Sequence, residues 1–234
     1  MKTELNIDDN ISFENLIEEL KIKSSSKNTE GMSRFGINVK KAFGVTVKDI
    51  KIIAKPVKNN HDLAVKLWKT GIHEAQLMSS LLDEYVKVTE EQMELQVLDF
   101  DSWDVCDLTC NNLYVYTQYC EKKIFEWTGR EEEFVKRAGY VLIACSAVHH
   151  KEWSNEKFIS FLPLIEEGLN DERNFVKKAV NWALRGIGKK NKVLNAEAVK
   201  FAERFVSSKS KTARWIVNDA IRELKDEKTL KRVK

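Results

Sequence analysis

The sequence predicts an all-α protein with a substantial core, and three observations lead to that prediction. Its 234 residues include only two prolines and nine glycines, too few turn-forming residues for a sheet of many strands. Apolar residues recur at helical spacing along the chain, and no segment alternates apolar and polar residues for long enough to indicate a strand. With 43% hydrophobic residues, a chain of this length can bury a substantial core.

Short breaker segments separate the predicted helices, so successive helices should pack antiparallel. The breakers include "SSSKNTEG", "PVKNNHD" and "GLND", which are rich in the polar residues and glycine that end helices. The predicted spans are residues 11–23, 46–57, 61–70, 73–85, 89–100, 102–119, 131–148, 155–169, 172–188, 194–207 and 211–228.

Two segments of the chain align with each other without gaps. "EFVKRAGYVLIA" begins at Glu133 and "NFVKKAVNWALR" begins at Asn174, 41 residues later, so that Phe134 aligns with Phe175. This offset falls in the roughly 40–47-residue period of HEAT and armadillo arrays. We therefore predict a HEAT-like solenoid of about six antiparallel helix pairs, and the alternative is a compact bundle with one chance duplication.

The predicted solenoid is a single domain over residues 1–234. Residues 1–30 should form an N-terminal helix and loop, and residues 225–234 should form a basic tail that can fray. A solenoid with capped ends needs no partner for its stability, so we expect a monomer.

Charge is distributed unevenly along the chain. Residues 177–234 hold 17 Lys and Arg against 6 Asp and Glu, a net charge of +11. Because the whole chain carries +3, residues 1–176 carry −8. The asymmetry favours a polyanionic partner for the C-terminal third, although a solvated lysine-rich helix surface would give the same count.

Metal, redox and membrane functions are disfavoured. The four cysteines follow no disulfide or zinc spacing and have no histidine near them in sequence, so Cys106 and Cys110 are interpreted as core residues. The N-terminus lacks the apolar core of a signal peptide, and no apolar run approaches the roughly 20 residues that span a bilayer. We expect a soluble cytoplasmic protein with no metal, no cofactor and no membrane contact.

Two predicted helices combine basic residues and a tryptophan on one face, because residues four, seven and eleven positions apart share a helix face. One face holds Lys178, Trp182, Arg185 and Lys189, and the other holds Lys211, Trp215, Asn218 and Arg222. Such a surface suits nucleic acid, since cations contact phosphates and a flat ring contacts sugar or base. The alternative is a core tryptophan covered by lysine stems, which we favour for Trp215 because apolar residues flank it; Trp182 should be exposed.

The stretch "DSWDVCDLTCNN" places an indole and a carboxylate one helical turn apart, at Trp103 and Asp107. Asp104 is offset around the helix and suits the first-turn position, where the helix dipole favours a negative charge. No Ser/His/Asp grouping or glycine-rich phosphate loop appears in the sequence. Spacing alone thus places Trp103 beside Asp107 and assigns no reaction to them.

Four motifs together resemble the DNA alkylation repair family of HEAT-like DNA glycosylases. They are "GMSRFGI" with "KAFGVTVKDI", then "DFDSWDVCD", "EFVKRAG" and "DERNFVKKAVNWALR", in family order over most of residues 30–190. The resemblance implies a concave cleft that is formed by the second helix of each helix pair. This cleft binds double-stranded DNA containing alkylated bases. It places Trp103, Asp107, Arg137 and Trp182 around the damaged nucleotide.

The implied activity is hydrolysis of the N-glycosidic bond of cationic N3- or N7-alkylated purines, without a pocket for a flipped base. Alkylation already makes the purine a good leaving group, so Asp107 needs only to stabilise the sugar cation and guide water. Trp103 and Trp182 would place electron-rich faces near the cation, and Arg137 would hold a backbone phosphate.

The predicted DNA contacts outside the catalytic group are Arg34, Phe35, Lys178, Arg185, Lys189, Lys190, Lys211, Arg214 and Trp215. Phe35 stands where the resemblance implies a DNA-facing tyrosine, which removes one hydroxyl. Two alternatives stay open: a non-catalytic HEAT protein that binds damaged or branched DNA, and a HEAT scaffold for a protein partner.

Overall fold

The structure, a computed structural model, describes residues 12–233, and every regular element within that range is helical. The prediction of an all-α fold is confirmed. The α-helices are α1 (Phe13–Ile22), α2 (Ser26–Arg34), α3 (Val47–Ala54), α4 (His61–Lys69), α5 (His73–Leu82), α6 (Glu90–Leu98), α7 (Trp103–Asn112), α8 (Cys120–Thr128), α9 (Glu133–His149), α10 (Asn155–Ile159), α11 (Leu162–Gly168), α12 (Asn174–Gly188), α13 (Lys192–Glu203), α14 (Lys211–Leu224) and α15 (Glu227–Leu230). None of them is long and apolar enough to cross a membrane.

The described residues form two compact units, which divide between Glu84 and Tyr85. In the first unit, α5 packs against α1, α3 and α4. The connection between α2 and α3 is held by Glu74 of α5, which is fully buried. Its carboxylate accepts three consecutive backbone N–H groups, those of residues 43, 44 and 45, at 2.9, 2.7 and 3.2 Å. A long connection without regular structure is thereby fixed to a helix.

In the second unit, α7, α9, α12 and α14 pack side by side in chain order. The Phe134 and Phe175 rings meet near the starts of α9 and α12, with centroids 5.5 Å apart. Gly186 lies against the backbone of Ala144 near their ends. These two helices therefore run in the same direction, and the residues that the 41-residue repeat aligned are spatial neighbours.

Helix α7 runs in the same direction as α9, and α14 runs in the same direction as α12. Cys106 of α7 contacts the carbonyl of Phe134, and Cys110 contacts that of residue 138 one turn later. Asn181 of α12 donates to the carbonyl of Ile216 in α14 at 2.9 Å, and Gly188 packs against Leu224. We call these four helices the second-helix row.

A further set of helices covers the second-helix row. Helices α8, α11 and α13 pack on α9, α12 and α14. Helix α8 of this set is also joined to α6. Its Lys123 side chain is buried, and Lys123 Nζ lies 2.7 Å from both Glu90 and Glu94 of α6. Each repeat is thus a pair of helices stacked on the next pair, which is the HEAT-like arrangement.

One helix lies in a segment that the sequence predicts as a loop. Helix α2 covers most of "SSSKNTEG", so the prediction of a breaker there is wrong. None of its residues is buried, and a helix without a buried side has no apolar period to detect. Its start is marked instead by Ser25, whose hydroxyl accepts the N–H of Asn28 at 3.3 Å.

The single helix predicted over 102–119 is also wrong. Helix α7 ends at Asn112, a 3₁₀ turn follows at Tyr114–Tyr116, and α8 begins at Cys120. Helix α8 was not predicted, although Cys120, Ile124 and Trp127 are buried at helical spacing. The apolar run through the turn hid the boundary between the two helices.

The C-terminal predictions need smaller corrections. The span 155–169 is divided into α10 and α11, and Pro163 lies in the first turn of α11, where its missing N–H costs nothing. The span 211–228 ends at Leu224. The predicted tail contains α15, and Val233 is buried against the fold.

Candidate nucleic-acid interface and catalytic group

The central feature of the second-helix row is an ion pair between α7 and α9. Arg137 Nε donates to Asp107 Oδ1 at 2.9 Å, and Nη2 donates to Oδ2 at 2.8 Å. The side chains are 6% and 16% exposed. Two parallel bonds of this kind fix the orientation of a carboxylate more firmly than one bond to a lysine would.

The remaining Arg137 nitrogen is also bonded within the protein. Nη1 donates to the backbone carbonyl of Phe175 in α12 at 2.5 Å. Arg137 therefore links three neighbouring helices, and all three of its nitrogens have protein acceptors. The phosphate contact implied for Arg137 stays a prediction, and it would use the N–H groups that these three bonds leave unbonded.

Burial and charge act on Asp107 in opposite directions. Burial raises the pKa of its carboxyl above the ordinary value, the Arg137 guanidinium offsets part of that rise, and the Asp104 charge adds to it. The pKa of Arg137 is raised, since the attraction of Asp107 outweighs the effect of burial. The group at the centre of the row is thus an oriented carboxylate whose ionised form depends on one guanidinium.

The two predicted catalytic tryptophans lie on the helices that flank α9. Trp103 is the first residue of α7, one turn before Asp107, and Trp182 lies in the middle of α12. Both are half-buried, so Trp182 is less open to solvent than the predicted exposed position. The four candidate catalytic residues thus lie on three adjacent, parallel helices.

The cysteines near this group belong to the core, as predicted. All four are free and buried. Burial raises the pKa of the Cys110 and Cys145 thiols well above the usual value, so neither is an activated nucleophile. Within residues 12–233, no three His, Cys, Asp or Glu side chains are grouped so that they could hold a metal ion.

The basic side chains nearer the starts of α12 and α14 are open to solvent. Lys178 and Lys211 are exposed, and neither has an ion-pair partner within 4 Å among the described residues. Trp215 is 44% exposed, so the favoured interpretation of it as a core residue is wrong. Ile216 and Val217 fill the core beside it, which leaves the indole outside, where Lys177 Nζ lies 5.5 Å from the ring centroid.

The basic residues nearer the end of α12 are paired. Arg185 Nη1 and Lys189 Nζ both bind the carboxylate of Glu223 in α14, the lysine at 2.7 Å. Burial opposes ionisation of Glu223, but the Lys189 and Arg185 bonds outweigh it and lower the pKa. We call these three residues the Glu223 cluster. Glu223 was not predicted from the sequence, because a partner on the next repeat leaves no local spacing signal.

Lys190 has a structural role that the sequence did not predict. Its Nζ donates to the carbonyls of Ala147 and His150, at 3.4 and 2.8 Å, and lies 4.6 Å from the Phe158 ring centroid. It therefore caps the end of α9. Burial lowers the pKa of Lys190. In this arrangement the ammonium group of Lys190 binds carbonyls at the end of a helix and does not point to a DNA-binding surface.

The remaining predicted DNA contacts also differ in whether they are bonded within the protein or open to solvent. Arg214 Nη1 donates to the carbonyls of Ser208 and Lys209, at 2.5 and 3.0 Å, and holds the loop before α14. Arg34 and Phe35 lie at the end of α2 in the first unit, where both are exposed and the Phe35 side chain is 72% exposed.

The paired helices and the row of parallel second helices define the protein as a HEAT-like α-helical repeat protein. A family model described as "DNA alkylation repair enzyme" matches residues 16–224, and the chain belongs to that family. This finding confirms the resemblance of the four motifs.

One solved structure with the same fold covers 91% of this chain and 95% of its own, with a TM-score of 0.76 and 17% sequence identity. It is described as "a new family of proteins related to the HEAT-like repeat DNA glycosylases with affinity for branched DNA structures". No curated protein sequence matches this chain. At this identity the structural match establishes the fold alone.

Proposed function

We propose that this protein is a monofunctional DNA glycosylase that hydrolyses the N-glycosidic bond of cationic N3- or N7-alkylated purines in double-stranded DNA. The observation that carries the proposal is the bidentate Asp107–Arg137 pair in the second-helix row, with Trp103 and Trp182 on the flanking helices. Membership of the DNA alkylation repair family supports the same reaction class.

The reaction needs little acid catalysis from the protein. When the C1′–N bond breaks, its electron pair moves onto the positively charged purine, which leaves as a neutral base. The sugar becomes a cation, and a buried carboxylate stabilises such a cation more strongly than an exposed one does. Asp107 also accepts a proton from the water that adds to C1′, which leaves an abasic site.

Arg137 suits a supporting role in this reaction. It keeps Asp107 ionised and fixes both carboxylate oxygens in one plane. Each oxygen of a carboxylate has two lone pairs, so a bond to Arg137 leaves acceptor capacity for water on both. Arg137 acts through Asp107 and is a positioning residue in this mechanism.

DNA binding would use the open cations of the row. Lys178 and Lys211 neutralise backbone phosphates, and the exposed faces of Trp182 and Trp215 contact sugar or base. Preference for a cationic lesion then comes from its weak glycosidic bond, together with indole faces that attract positive charge.

The test is base release under single-turnover conditions, from duplex DNA that contains N7-methylguanine or N3-methyladenine. Wild-type protein should release the damaged base, and Asp107→Asn should reduce the rate by about 100-fold or more. Asp219→Asn is the matched control, because it removes the same charge from the same row at a residue whose ion-pair partner within residues 12–233 is Arg222. If wild type releases no more base than Asp107→Asn, the catalytic proposal is lost.

A second candidate is non-catalytic binding of branched DNA. It is favoured by the internal bonding of Arg137, because all three of its nitrogens have protein acceptors and the pair therefore joins three helices without any substrate. The structural relative described as having affinity for branched DNA points the same way. This candidate predicts no base release, tighter binding of a four-way junction than of a linear duplex of equal length, and binding that survives Asp107→Asn.

A further inference from the structure

The Glu223 cluster differs from an ordinary surface ion pair. One carboxylate binds two cations that lie a helical turn apart at the end of α12, and both belong to the helix face that also carries Lys178 and Trp182. Glu223 reaches them from the last turn of α14, the next helix in the row. Its side chain is 29% exposed, so the carboxylate lies at the surface of the row and not beneath it.

The bonding of Arg185 is incomplete. Its Nη1 binds Glu223, but its buried Nε has no hydrogen-bond partner within the described residues. Arg137 on the neighbouring helix, by contrast, has an acceptor for every nitrogen. Arg185 thus has fewer of its five N–H groups bonded than Arg137 has, and a guanidinium with fewer bonded donors gains more from a new anion.

A carboxylate that bridges an arginine and a lysine occupies the place of a phosphate group. Both anions present oxygens to the same donors, and both are favoured by the same positive charge. A DNA phosphate can bind Arg185 and Lys189 only if it displaces Glu223 or tolerates its charge nearby. Either event reduces the free energy gained from binding.

We propose that Glu223 is an internal competitor of the DNA backbone for Arg185 and Lys189, and that it sets the affinity of the row for undamaged duplex DNA. The inference rests on the proposed DNA binding and does not depend on catalysis. Glu223 keeps sequence-independent phosphate binding weak, so the protein leaves undamaged DNA quickly. The preference for damaged over undamaged DNA is then determined by the contacts of Trp103, Asp107 and Trp182 with the lesion.

The test is the affinity of Glu223→Gln for undamaged duplex DNA, measured by fluorescence anisotropy over a series of salt concentrations. Freeing two partly exposed cations should tighten binding about 2- to 30-fold at low salt. The slope of log affinity against log salt should steepen by about 0.9, because one more net charge meets the DNA backbone. Glu223→Asp keeps the charge and should keep the wild-type slope.

The matched control is Glu203→Gln. Glu203 lies in α13, outside the second-helix row, and pairs with Lys225 at 2.7 Å. The substitution makes the same change in net charge without freeing Arg185 or Lys189, so the affinity for DNA should change little.

Three outcomes would overturn the inference in different ways. If both glutamine variants tighten binding equally, Glu223 contributes only to the overall charge. If Glu223→Gln weakens binding, the carboxylate positions Arg185 for DNA and does not compete with it. If neither wild type nor any variant binds DNA, the proposed function fails together with the inference, which distinguishes that result from the first two.

Discussion

Two arginines on neighbouring helices have different environments in the same row of second helices. Arg137 of α9 has all of its nitrogens bonded, and its side chain is 6% exposed. Arg185 of α12 has one nitrogen bonded to Glu223, and its side chain is 27% exposed. The first is part of the framework of the site, and the second remains free to change partners.

The difference shows that a basic helix face is not uniformly available to an anion. Lys178 and Lys211 have no described ion-pair partner, Arg185 and Lys189 share one carboxylate, and Lys190 caps a helix. A net charge counts all of these cations equally. Their contributions to DNA binding should instead follow how many acceptors each already has.

The largest expected effect is on stability. Arg137→Met leaves the buried Asp107 carboxylate without its partner and should lower the free energy of unfolding by about 3–5 kcal/mol. Arg185→Met breaks a partly exposed pair and should cost about 1 kcal/mol or less. Urea denaturation of the two variants measures both values. Equal losses in the free energy of unfolding would show that the two arginines contribute equally to stability.

The next effect separates two tryptophans. Trp182→Ala removes an indole proposed to face the sugar cation and should slow base release about 2- to 30-fold at saturating protein. Trp215→Ala on α14 should weaken DNA binding and leave that rate unchanged, because its ring is proposed to contact the bound strand and not the reacting sugar. Single-turnover rates measured beside binding curves distinguish the two roles, and a slower rate for Trp215→Ala would place it in the reacting group.

A third prediction compares two lysines that the sequence cannot tell apart. Lys178→Gln should reduce the slope of log affinity against log salt by about 0.9, as expected when one phosphate contact is lost. Lys190→Gln should leave that slope unchanged and lower the melting temperature, because it removes the cap on α9. A fall in slope for Lys190→Gln would mean that DNA draws this lysine away from the helix end.

The smallest expected effect is on the pH profile. Asp107 acts as a carboxylate and burial raises its pKa, so the rate of base release should fall as pH decreases through that raised pKa. Arg137→Lys keeps the charge but loses the paired bonds that lower the pKa, and should move the fall to higher pH. Rates corrected for spontaneous depurination give the profile. An unchanged midpoint in Arg137→Lys would show that the pair does not tune Asp107.

The linkage to stability has the opposite sign from that of most aspartates. Because the folded-state pKa of Asp107 is raised, folding favours the protonated form of this group. The associated stability is therefore present at low pH and is lost as pH rises through the folded-state pKa. Asp107 thus makes no contribution to acid denaturation.

Periodicity predicted the repeat and the second helices, because each of these helices buries one apolar face. The ungapped alignment even placed Phe134 beside Phe175, whose rings are in contact. Helix α2 was missed because it buries no residue. Apolar patterns predict helices through what they bury, and a polar helix held by its cap is invisible to them.

The spacing of residues also placed Trp103 and Asp107 on one face, and the repeat aligned Arg137 with Lys178. Neither observation could predict which acceptors Arg137 would bind, since they lie 30 and 38 residues away on other helices. The same limit hid Glu223 behind Arg185 and Lys189. Spacing within one helix assigns a face to a residue, but the partner on the next helix is fixed only by packing.

The helices of the row are joined by side chains that bond to main-chain carbonyls. Arg137 binds the carbonyl of Phe175, and Asn181 binds that of Ile216. Every residue type supplies the same carbonyl, so the accepting helix can change its side chains without losing the bond. The residue that supplies the carbonyl can therefore be replaced during evolution without loss of the bond between the helices. A fold assembled in this way can be maintained between sequences that share only 17% of their residues.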